Sequence, residues 1–543
     1  GRSYPAYRDL GGPWTLGALA LTVDHVQGDP FASPSRVTVR LDVGLPAAPG
    51  VDDPTGVRLA TEDWLLRSFV DTLAARGRTS RGSGKSGLID ALRPGPEVVD
   101  RSALRLDRTG RATVRLAVGL PARGRRIDGG QARALFDDLR EALDALPASP
   151  DDPELVAHVA SVVRQRALRD QLRARGLVAF VEDGSGLPRA SGVSQAPLAD
   201  AVRFRAPETL AVTLDAPTGP ARGLGIREGV TLIVGGGFHG KSTVLDALAR
   251  GHLDHVPGDG REGVVADPDT VKIRAEDGRR IARVDVSAFL GELPGGRRVA
   301  PLSTDDASGS TSQAAAIVEA REAGARVLLI DEDTSATNLL VRDERMRALI
   351  EDRHEPITPL VARARQLARA GTSVVMVVGG VGDWLAVADT VLGMTAFEAW
   401  DATSRAQALA GPAPAPPGPF TEPSPRRIEG QAPPRRLRCR DVRAIQWGDT
   451  DIDLTAIEPV LSAWHARTLG HAVRFVLDGL ANGRRTLPQL LDALDAILLD
   501  EGTEALSPFA APSGDLVAVR RHEVAAVLNR LRGLVVVDGL PER

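Results

Sequence analysis

A glycine-rich segment between an apolar run and a helical pattern constrains this chain most. Residues 235–243 read Gly-Gly-Gly-Phe-His-Gly-Lys-Ser-Thr and fit the pattern G-x-x-x-x-G-K-[ST]. The apolar run Val230–Val234 predicts a buried parallel strand, and Thr243–Arg250 predicts a helix that stops at Gly251. A strand, a glycine-rich loop and a helix in this order predict a phosphate-binding loop, because loop amides and the helix N-terminus attract anions. The alternative is a chance glycine-rich turn.

Backbone amides and two side chains of this loop are expected to bind the nucleotide. Lys241 is expected to reach the β- and γ-phosphates and to act in catalysis, and the Ser242 hydroxyl is expected to bind Mg²⁺. The ATP-binding residues predicted in this segment are Gly235, Gly236, Gly237, Phe238, His239, Gly240, Lys241, Ser242 and Thr243.

A pair of carboxylates about 90 residues downstream supplies a second nucleotide signal. The run Arg326–Ile330 predicts a buried strand, and Asp331 and Glu332 follow at its carboxyl end, where open α/β sheets bind ligands. We expect Asp331 to hold Mg²⁺ through water, and Glu332 to orient and deprotonate the attacking water. The alternative is a strand that ends in two solvated acids.

A serine- and glycine-rich turn, Ala307–Gln313, lies between the two motifs and is followed by a helical pattern. Such a turn at a helix N-terminus binds anions. Because it comes shortly before the Asp-Glu strand, it resembles the signature motif of ATP-binding-cassette (ABC) ATPases, which closes on the γ-phosphate held by a second subunit. Ser308, Gly309 and Ser310 are therefore further predicted ATP contacts, and a plain capped helix is the alternative.

Composition narrows the class of protein. No run of 18 or more apolar residues occurs, so we expect no membrane span. The first residues lack the apolar centre of a secretory signal. The single cysteine, Cys439, excludes an internal disulfide and suits a reducing cytoplasm, which is the expected location. A net charge of −4 does not by itself indicate a nucleic-acid-binding protein.

The 543 residues suggest about three domains of ~150 residues each. Residues 1–205 alternate short apolar runs with helical patterns and predict an α+β N-terminal domain. Residues 206–405 alternate strand and helix around the phosphate loop and predict an α/β core. The proline-rich residues 406–436 are interpreted as a linker or an extended surface crossing, and residues 437–543 as a mainly helical C-terminal domain.

Distinctive stretches in a fixed order carry a family resemblance. They are Val26–Arg36, Gly82–Gly87, Val118–Ala122, Gly176–Gly184, Gly258–Glu262, Ile273–Arg279, Asp331–Asn338 and Glu355–Pro359. The chain resembles the predicted ATPases of the ABC class, a mainly bacterial family with a relative in the mitochondrial RNA-editing machinery of trypanosomes. The resemblance implies an ABC-type core with family-specific N- and C-terminal domains, ATP-dependent pairing of two cores, and RNA as a ligand.

Several positions take roles from this resemblance. The Q-loop, whose glutamine contacts Mg²⁺ and the attacking water, has no clear glutamine here; Glu276 or Asp277 is nearest by spacing, and Glu276 is the metal candidate. The histidine that contacts the γ-phosphate is missing, since Gly379–Asp383 stands at its position, which implies slow turnover. His239 would partly substitute, or else it projects to solvent or packs. Ser335–Asn338 falls where ABC proteins carry the loop that crosses the dimer.

Basic residues cluster in two places in the N-terminal region. Gly82–Ser86 looks like a second phosphate loop, but Thr79 stands where the pattern requires glycine, so a mobile basic loop that contacts a phosphate backbone is predicted instead. Solvated surface arginines are the alternative. The turn-forming stretch Gln27–Arg36 is either a structural corner or a segment that reaches a ligand. The candidate nucleic-acid contacts are Arg78, Arg81 and Lys85 in the first cluster and Arg123, Arg125 and Arg126 in the second.

Four functions compete on these grounds. The leading hypothesis is an ATPase that uses ATP and Mg²⁺ and whose two cores close as a homodimer. Its flanking domains would bind nucleic acid, and RNA is favoured over DNA as the ligand. The second is a slow, ATP-bound switch or scaffold that acts on a protein partner. A transporter ATPase is opposed by the long extra domains and by the lack of a membrane segment. A small-molecule kinase is opposed by the Ser308–Gln313 turn.

Overall fold

A computed structural model describes residues 2–43, 54–77, 80–146, 149, 151–291, 299–342, 349–350, 354–415 and 418–537. Contacts divide the chain into two compact units. The first unit comprises Gly1–Arg164, His255–Pro257 and Asp500–Ala518, and the second comprises Gln165–Asp254, Gly258–Leu499 and Val519–Arg543. Neither unit is one continuous stretch, because the chain crosses from one to the other several times.

The first unit is built around strands from the N-terminal part of the chain. Its strands are β1 (Gly12–Leu16), β2 (Leu19–His25), β3 (Ser35–Asp42), β4 (Ile89–Asp90), β5 (Glu97–Val98), β6 (Leu104–Leu106), β7 (Arg111–Val118), β8 (Ala122–Arg123) and β9 (Arg126–Ile127). Its helices are α1 (Pro54–Arg76), α2 (Gly129–Asp144) and most of α3 (Pro153–Asp170).

Most of these strands form one antiparallel sheet. The order is β1-β2-β3-β7-β4, and β6 also pairs with β7. Every second residue of β7 is buried, as the two-residue period of a strand with one covered face requires. Helix α1 contacts β6 and α2, and its side chains Leu66 and Phe69 are fully buried. The sheet and helices together form the α+β arrangement of this unit.

Residues 500–518 lie far along the chain but fold with the first unit. Ser102 Oγ donates to Ser513 O at 2.7 Å. Arg115 donates two hydrogen bonds, of 2.7 and 3.0 Å, to the two carboxylate oxygens of Glu504. This late segment is therefore part of the structure of the first unit.

A buried charge cluster surrounds Asp63 of α1. Arg67 Nε donates to Asp63 Oδ2 at 2.6 Å, Arg101 forms an ion pair with Oδ1, and His158 Nε2 lies 3.2 Å from Oδ2. Burial alone would raise the pKa of Asp63, but Arg101, His158 and Arg67 outweigh it and lower the pKa to about 2. The carboxylate therefore stays charged inside the unit, where its partners offset the cost of desolvation.

The rest of the chain contributes the remaining elements. The strands are β10 (Leu177–Glu182), β11 (Ala211–Leu214), β12 (Ala221–Arg227), β13 (Val230–Val234), β14 (Asp254–His255), β15 (Val264–Ala266), β16 (Thr270–Ile273), β17 (Arg279–Val284), β18 (Leu302–Ala307), β19 (Val327–Asp331), β20 (Ser373–Val378), β21 (Thr390–Thr395), β22 (Glu398–Asp401), β23 (Arg427–Ile428), β24 (Leu437–Cys439), β25 (Ala444–Trp447), β26 (Thr450–Asp453) and β27 (Val536–Val537). The helices are α4 (Lys241–Arg250), α5 (Gly309–Glu322), α6 (Thr337–Leu340), α7 (Leu360–Arg369), α8 (Thr403–Leu409), α9 (Ala463–Phe475), α10 (Leu487–Glu501) and α11 (Arg521–Arg530).

A six-stranded sheet in the order β16-β19-β20-β13-β21-β22 is the centre of the second unit. All its pairings are parallel except the β21–β22 hairpin. Strands β19 and β20 are buried along their whole length. Continuous apolar runs are expected where helices or a second sheet cover both faces of a parallel sheet.

Alternate side chains of this sheet enter two core layers. Leu232, Ile330 and Met376 belong to the layer that includes side chains of α5 and α7. Ile233 and Val377 belong to the opposite layer, with side chains of α4 and of the antiparallel sheet β11-β12-β10-β15. The sheet is therefore covered on both faces, and its strand ends remain as the place for a site.

The C-terminal part of the second unit consists of helices and a small sheet. Strands β24, β25 and β26 form an antiparallel sheet, and α9 contacts β24, β25 and α11. Helix α11 in turn contacts α5 and β17 of the core. Within the proline-rich stretch, Ile428 is fully buried and β23 pairs with β27.

Candidate nucleotide-binding site

The glycine-rich loop connects strand β13 to the N-terminus of helix α4. Gly235 (φ 149°) and Gly240 (φ 95°) adopt backbone conformations that favour glycine. A Cβ on Gly235 would lie 2.3 Å from Met394 O, so the loop also packs too closely there for a side chain. Lys241 Nζ donates to Gly236 O at 2.7 Å, which keeps the ammonium group over the loop.

Phe238 and His239 of this loop have different surroundings. Phe238 is fully exposed and has a φ of 63°. His239 Nδ1 accepts a hydrogen bond of 2.6 Å from Ala396 N, in the turn between β21 and β22. An accepting Nδ1 places the ring proton of a neutral histidine on Nε2. The contact gives His239 a packing role, which is one of the alternatives considered for it.

The carboxyl end of β19 carries Asp331. Only β20 separates β19 from β13, so Asp331 lies at the same sheet edge as the phosphate loop. Asp331 is 6% exposed, and its Oδ1 accepts a hydrogen bond of 3.1 Å from Asp333 N. Ser242 is exposed at the start of α4. A carboxylate and a hydroxyl are hard oxygen donors of the kind that suits Mg²⁺.

Glu332 is held by two backbone amides. Its Oε2 accepts hydrogen bonds of 2.6 Å from Gly379 N and 3.1 Å from Gly380 N. These glycines follow β20, where the ABC pattern has its histidine. A Cβ on Gly380 would lie 3.4 Å from Glu332 Oε1, which is an ordinary van der Waals contact. Backbone amides therefore position this carboxylate in a chain that lacks the histidine.

The serine-glycine turn begins helix α5, with Ser308 as its N-cap residue and Gly309 as its first residue. Gln313 in the same helix is fully buried. Its Nε2 donates to Ser335 Oγ at 2.9 Å, and its Oε1 accepts from Ala336 N at 2.8 Å. The helix is thus joined to the segment that follows Glu332. The sequence pattern placed Gln313 at the end of this turn but assigned its side chain no role.

Glu276 lies three residues beyond strand β16, and its carboxylate faces helix α11. Arg530 Nε donates to Glu276 Oε2 at 3.0 Å, and Arg530 Nη2 bonds to Oε1. Burial lowers the pKa of Arg530, and its neighbour Arg279 lowers it further. Since both oxygens of Glu276 face Arg530, Ser242 and Asp331 fit a metal ion better than Glu276 does in this arrangement. Arg530 was not singled out by the sequence.

Comparison with known proteins decides the family. Three family models match successive parts of the chain: the N-terminal model of ATPases of the ABC class over residues 1–146, the P-loop domain of ABC ATPases over 151–419, and the MRB1590 C-terminal domain over 436–537. This chain belongs to the ABC-class ATPase family. A curated relative, the uncharacterized protein MJ1628 of Methanocaldococcus jannaschii, is 31% identical to it over 221 residues, or 39% of this chain and 48% of that protein. This chain spans about half the length of that relative.

The family match confirms the resemblance and the fold class that the sequence predicted, an α/β P-loop core with flanking domains. An ABC-class P-loop domain supports ATP binding and hydrolysis, and such domains typically use Mg²⁺. Among the residues that the structure describes, no helix is long and apolar enough to cross a membrane.

The residues of the first basic cluster in this ABC-class chain have different surroundings in the structure. Arg78 lies outside the described residues. The side chain of Arg81 is only 12% exposed; its Nη1 donates to Gln131 Oε1 at 3.0 Å, and its Nη2 pairs with Asp138. Lys85 is exposed. The Arg81 side chain therefore binds partners within its own unit, and the exposed Lys85 side chain is the better candidate of the two to bind a phosphate group.

The Gly82–Gly87 segment is anchored by close backbone packing. Lys85 N donates to Pro30 O at 2.9 Å. A Cβ on Gly82 would lie 2.1 Å from Ala122 O. The glycines therefore allow close packing against two other stretches of the first unit, and the expectation of a mobile loop is corrected. The stretch around Pro30 is a structural corner that supports this segment.

The second basic cluster lies beside the first, in the β8–β9 hairpin. Gly124 N donates to Ser83 Oγ at 2.9 Å, which joins the hairpin to the Gly82–Gly87 segment. Arg123 and Arg125 have exposed side chains and form surface ion pairs of 3.1 and 2.8 Å, which contribute little to stability. The exposed basic side chains of this surface, called the basic face below, are Lys85, Arg123, Arg125 and Arg126.

Proposed function

We propose that this chain hydrolyses ATP·Mg²⁺ at a composite site between two copies of itself, and that this cycle controls nucleic-acid binding by the flanking parts. The observation that carries the proposal is the position of Glu332. It follows the strand end that shares a sheet edge with the phosphate loop, and Gly379 N and Gly380 N hold its carboxylate. A fixed carboxylate beside bound phosphates is suited to accept a proton from an attacking water.

The other residues of the site take complementary roles. Lys241 neutralises charge on the β- and γ-phosphates, and the loop glycines bring backbone amides close to them. Ser242 and Asp331 would hold Mg²⁺, which neutralises phosphate charge when it is bound. Because Glu332 orients the water and the loop orients the phosphates, catalysis consists of positioning and charge stabilisation.

The N-terminus of helix α5 supports a composite site. This helix has 14 residues, so its first turn presents amides and a partial positive charge to an anion. Within the chain, the helix is joined through Gln313 to Ser335 and Ala336, where ABC proteins place the loop that crosses the dimer. We propose that Ser308, Gly309 and Ser310 close on the γ-phosphate held by a second copy.

The basic face supports nucleic-acid binding. Its four cationic side chains project from segments joined by the Ser83–Gly124 hydrogen bond, so they form one surface instead of two separate clusters. Such a surface attracts a phosphate backbone without reading sequence. RNA is the favoured ligand because of the trypanosome relative. The match to the MRB1590 C-terminal domain is in line with this proposal.

A Glu332→Gln variant tests the composite site. It should bind ATP but not hydrolyse it, so light scattering in ATP·Mg²⁺ should give about twice the chain mass of 57.3 kDa. The matched control is Lys241→Ala/Glu332→Gln, which should bind no nucleotide and stay at the mass of one chain. A Glu332→Gln protein that binds ATP yet stays at that mass would contradict the composite site. Nucleic acid recovered from the trapped dimer would then be sequenced, and its nuclease sensitivity would separate RNA from DNA.

The second candidate is a slow switch or scaffold that acts on a protein partner. The lack of a histidine at Gly379–Asp383 favours it, because the γ-phosphate then loses one cationic contact. Recovery of no nucleic acid from the Glu332→Gln dimer, together with ATP turnover much slower than ATP dissociation, would favour this function over the first.

A further inference from the structure

The hairpin turn between strands β21 and β22 carries an aromatic residue in an unfavourable backbone conformation. Its two central residues are Ala396 (φ 49°) and Phe397 (φ 70°), which lie between the paired residues Thr395 and Glu398. A two-residue turn with positive φ at both positions favours asparagine and glycine, because a bulky side chain is strained there. Burial does not offset this strain, since Phe397 is 53% exposed. The fold alone therefore gives no reason for an aromatic residue at this position.

The Phe397 ring lies against the beginning of helix α4. A Cβ built on Gly240, the N-cap residue of α4, would lie 3.2 Å from Phe397 Cδ1. The preceding residue of the turn, Ala396, donates its amide hydrogen to His239 Nδ1 at 2.6 Å. These contacts hold the turn against the phosphate loop, so the ring is adjacent to the residues that we propose bind phosphates.

The order of the strands determines which end of a bound nucleotide meets this ring. Across the sheet, the order is β19, β20, β13 and β21. Asp331 and Glu332 are at the end of β19, so the groups proposed to act on the metal and the attacking water lie on one side of the phosphate loop. The β21–β22 turn lies on the other side. When the γ-phosphate is directed towards Glu332, the nucleoside is therefore directed towards Phe397.

Exposed aromatic side chains are concentrated in this part of the described chain. Among the described residues, those listed here have exposed aromatic rings: Trp14, Phe31, Phe238, Phe397, Trp400 and Phe509. Three of these six belong to the phosphate loop or to the β21–β22 hairpin. In a chain with only 3% aromatic residues, this concentration indicates a surface that binds a flat or apolar group.

Trp400 supports the hairpin that carries Phe397. Its Nε1 donates to Thr395 Oγ1 at 3.1 Å, which connects the two strands next to the turn. Its ring also covers Gly393, where a Cβ would lie 2.2 Å from Trp400 Cε2. Because these contacts fix the hairpin, the Phe397 ring is held in place before a ligand arrives, and little freedom is lost on binding.

We propose that Phe397 stacks on the base of the bound nucleoside triphosphate. An aromatic ring and the flat face of a base attract each other whatever the base is. A phenylalanine ring has no hydrogen-bond donor or acceptor, so it holds adenine and guanine equally well and holds the smaller pyrimidines less well. The ligand class is therefore purine nucleoside triphosphates, bound by their phosphates at the loop and by their base at the hairpin. This inference rests on the proposed ATP·Mg²⁺ site.

Phe397→Gly removes the ring without straining the turn, because glycine suits a φ of 70°. Its Kd for ATP·Mg²⁺ should rise about tenfold, as expected when one base–aromatic stack is lost. Its Kd for inorganic tripolyphosphate with Mg²⁺ should not change, because this probe has no base. Its thermal unfolding midpoint should not fall, which separates lost stacking from misfolding. Phe509→Ala is the matched control, since it removes an exposed aromatic ring from the first unit.

Two further measurements test the base itself. GTP·Mg²⁺ should bind the wild type with a Kd within about threefold of that for ATP·Mg²⁺, and CTP·Mg²⁺ should bind more weakly than either. Phe397→Trp keeps a stacking ring, so its Kd for ATP·Mg²⁺ should stay near that of the wild type. The fluorescence that this substitution adds should be quenched by ATP·Mg²⁺ and not by tripolyphosphate.

Two results would overturn the stacking role. One is a Phe397→Gly protein whose Kd for ATP·Mg²⁺ is within about threefold of the wild type; if Phe397→Gly/Glu332→Gln then also fails to double its mass in ATP, the ring contacts a second copy instead of the base. The other is an equal loss of affinity for ATP and for tripolyphosphate, which would show a disturbed loop. Failure of the proposed function appears instead as a wild type that binds no nucleotide, or as a Lys241→Ala variant that binds it normally, so the two failures are distinguishable.

Discussion

Replacing Gly379 by proline should isolate what the backbone amides do for Glu332. Proline has no amide hydrogen, so Gly379→Pro removes the 2.6 Å hydrogen bond to Oε2 and leaves Glu332 itself in place. Gly379→Ala is the matched control, because it keeps the amide. A Cβ at this position would lie 3.9 Å from Glu332 Oε2, which is an ordinary contact.

The hydrogen bonds to Glu332 set the expected size of the fall in kcat. A hydrogen bond to a charged group contributes about 1.5–3 kcal/mol, which converts to roughly 10- to 150-fold in rate if it acts fully on the transition state. Gly380 N still donates to the same oxygen at 3.1 Å and limits the movement of the carboxylate. We therefore expect the lower part of that range, a fall in kcat of roughly 10- to 30-fold. Affinity for ATP should stay within about threefold, because the phosphate loop belongs to strand β13.

The assay is steady-state phosphate release at saturating ATP, combined with equilibrium binding of ATP·Mg²⁺. A kcat for Gly379→Pro within threefold of Gly379→Ala, at equal ATP affinity, would refute the role given to this amide. A parallel loss of affinity and kcat would also count against it, because it would show that the substitution disturbed the sheet edge and not Glu332 alone.

Two further predictions concern the first unit. Asp63 has a folded-state pKa below its unfolded value of ~3.9, so its stabilisation is present above pH ~4 and is lost as pH falls towards 2. The difference in unfolding free energy between wild type and Asp63→Asn, measured by urea titration, should therefore shrink by about 2 kcal/mol between pH 6 and pH 2. A difference that does not depend on pH would contradict this. On the basic face, replacing Lys85, Arg125 and Arg126 by alanine should weaken RNA binding and reduce the slope of log Kd against log salt concentration by about 2–3. The control variant replaces three other exposed arginines by alanine and should leave both the affinity and the slope unchanged; these are Arg108, Arg369 and Arg405. An unaltered slope in the first variant would exclude this surface as the contact.

Short-range sequence patterns were sufficient to predict the strand, the helix and the carboxylate at the centre of the site. The strand predicted over Val230–Val234 has those bounds in the structure, and the helix after the loop begins at Lys241, two residues before the predicted start. Asp331 lies at the end of its strand, as the apolar run before it predicted. These features depend on short-range signals, namely a continuous apolar run and a glycine-rich turn, which a single sequence contains.

The contacts that shape the site are long-range, and the sequence could not predict them. Arg530 and Glu276 are 254 residues apart, and Ser102 and Ser513 are 411 apart. In a chain so rich in arginine, composition does not distinguish an arginine that holds a carboxylate at the site from one on the surface. Only the folded topology brings such partners together, because no periodicity connects residues on different elements.

The two G-K-S sequences of this chain show which physical condition decides their function. Lys241 opens a ten-residue helix, whose first-turn amides have no intrahelical acceptor and can face a phosphate. Around Lys85 the amides are committed: Lys85 N donates to Pro30 O, and Gly87 N to Gly119 O. A glycine-rich G-K-S sequence therefore indicates a phosphate site when its backbone amides lie at a helix N-terminus and have no acceptor within the protein. It indicates close packing when neighbouring carbonyl groups already accept hydrogen bonds from these amides. Lys241 meets the first condition and Lys85 the second, so a phosphate that reaches Lys85 can be held by its side chain but not by a surrounding loop.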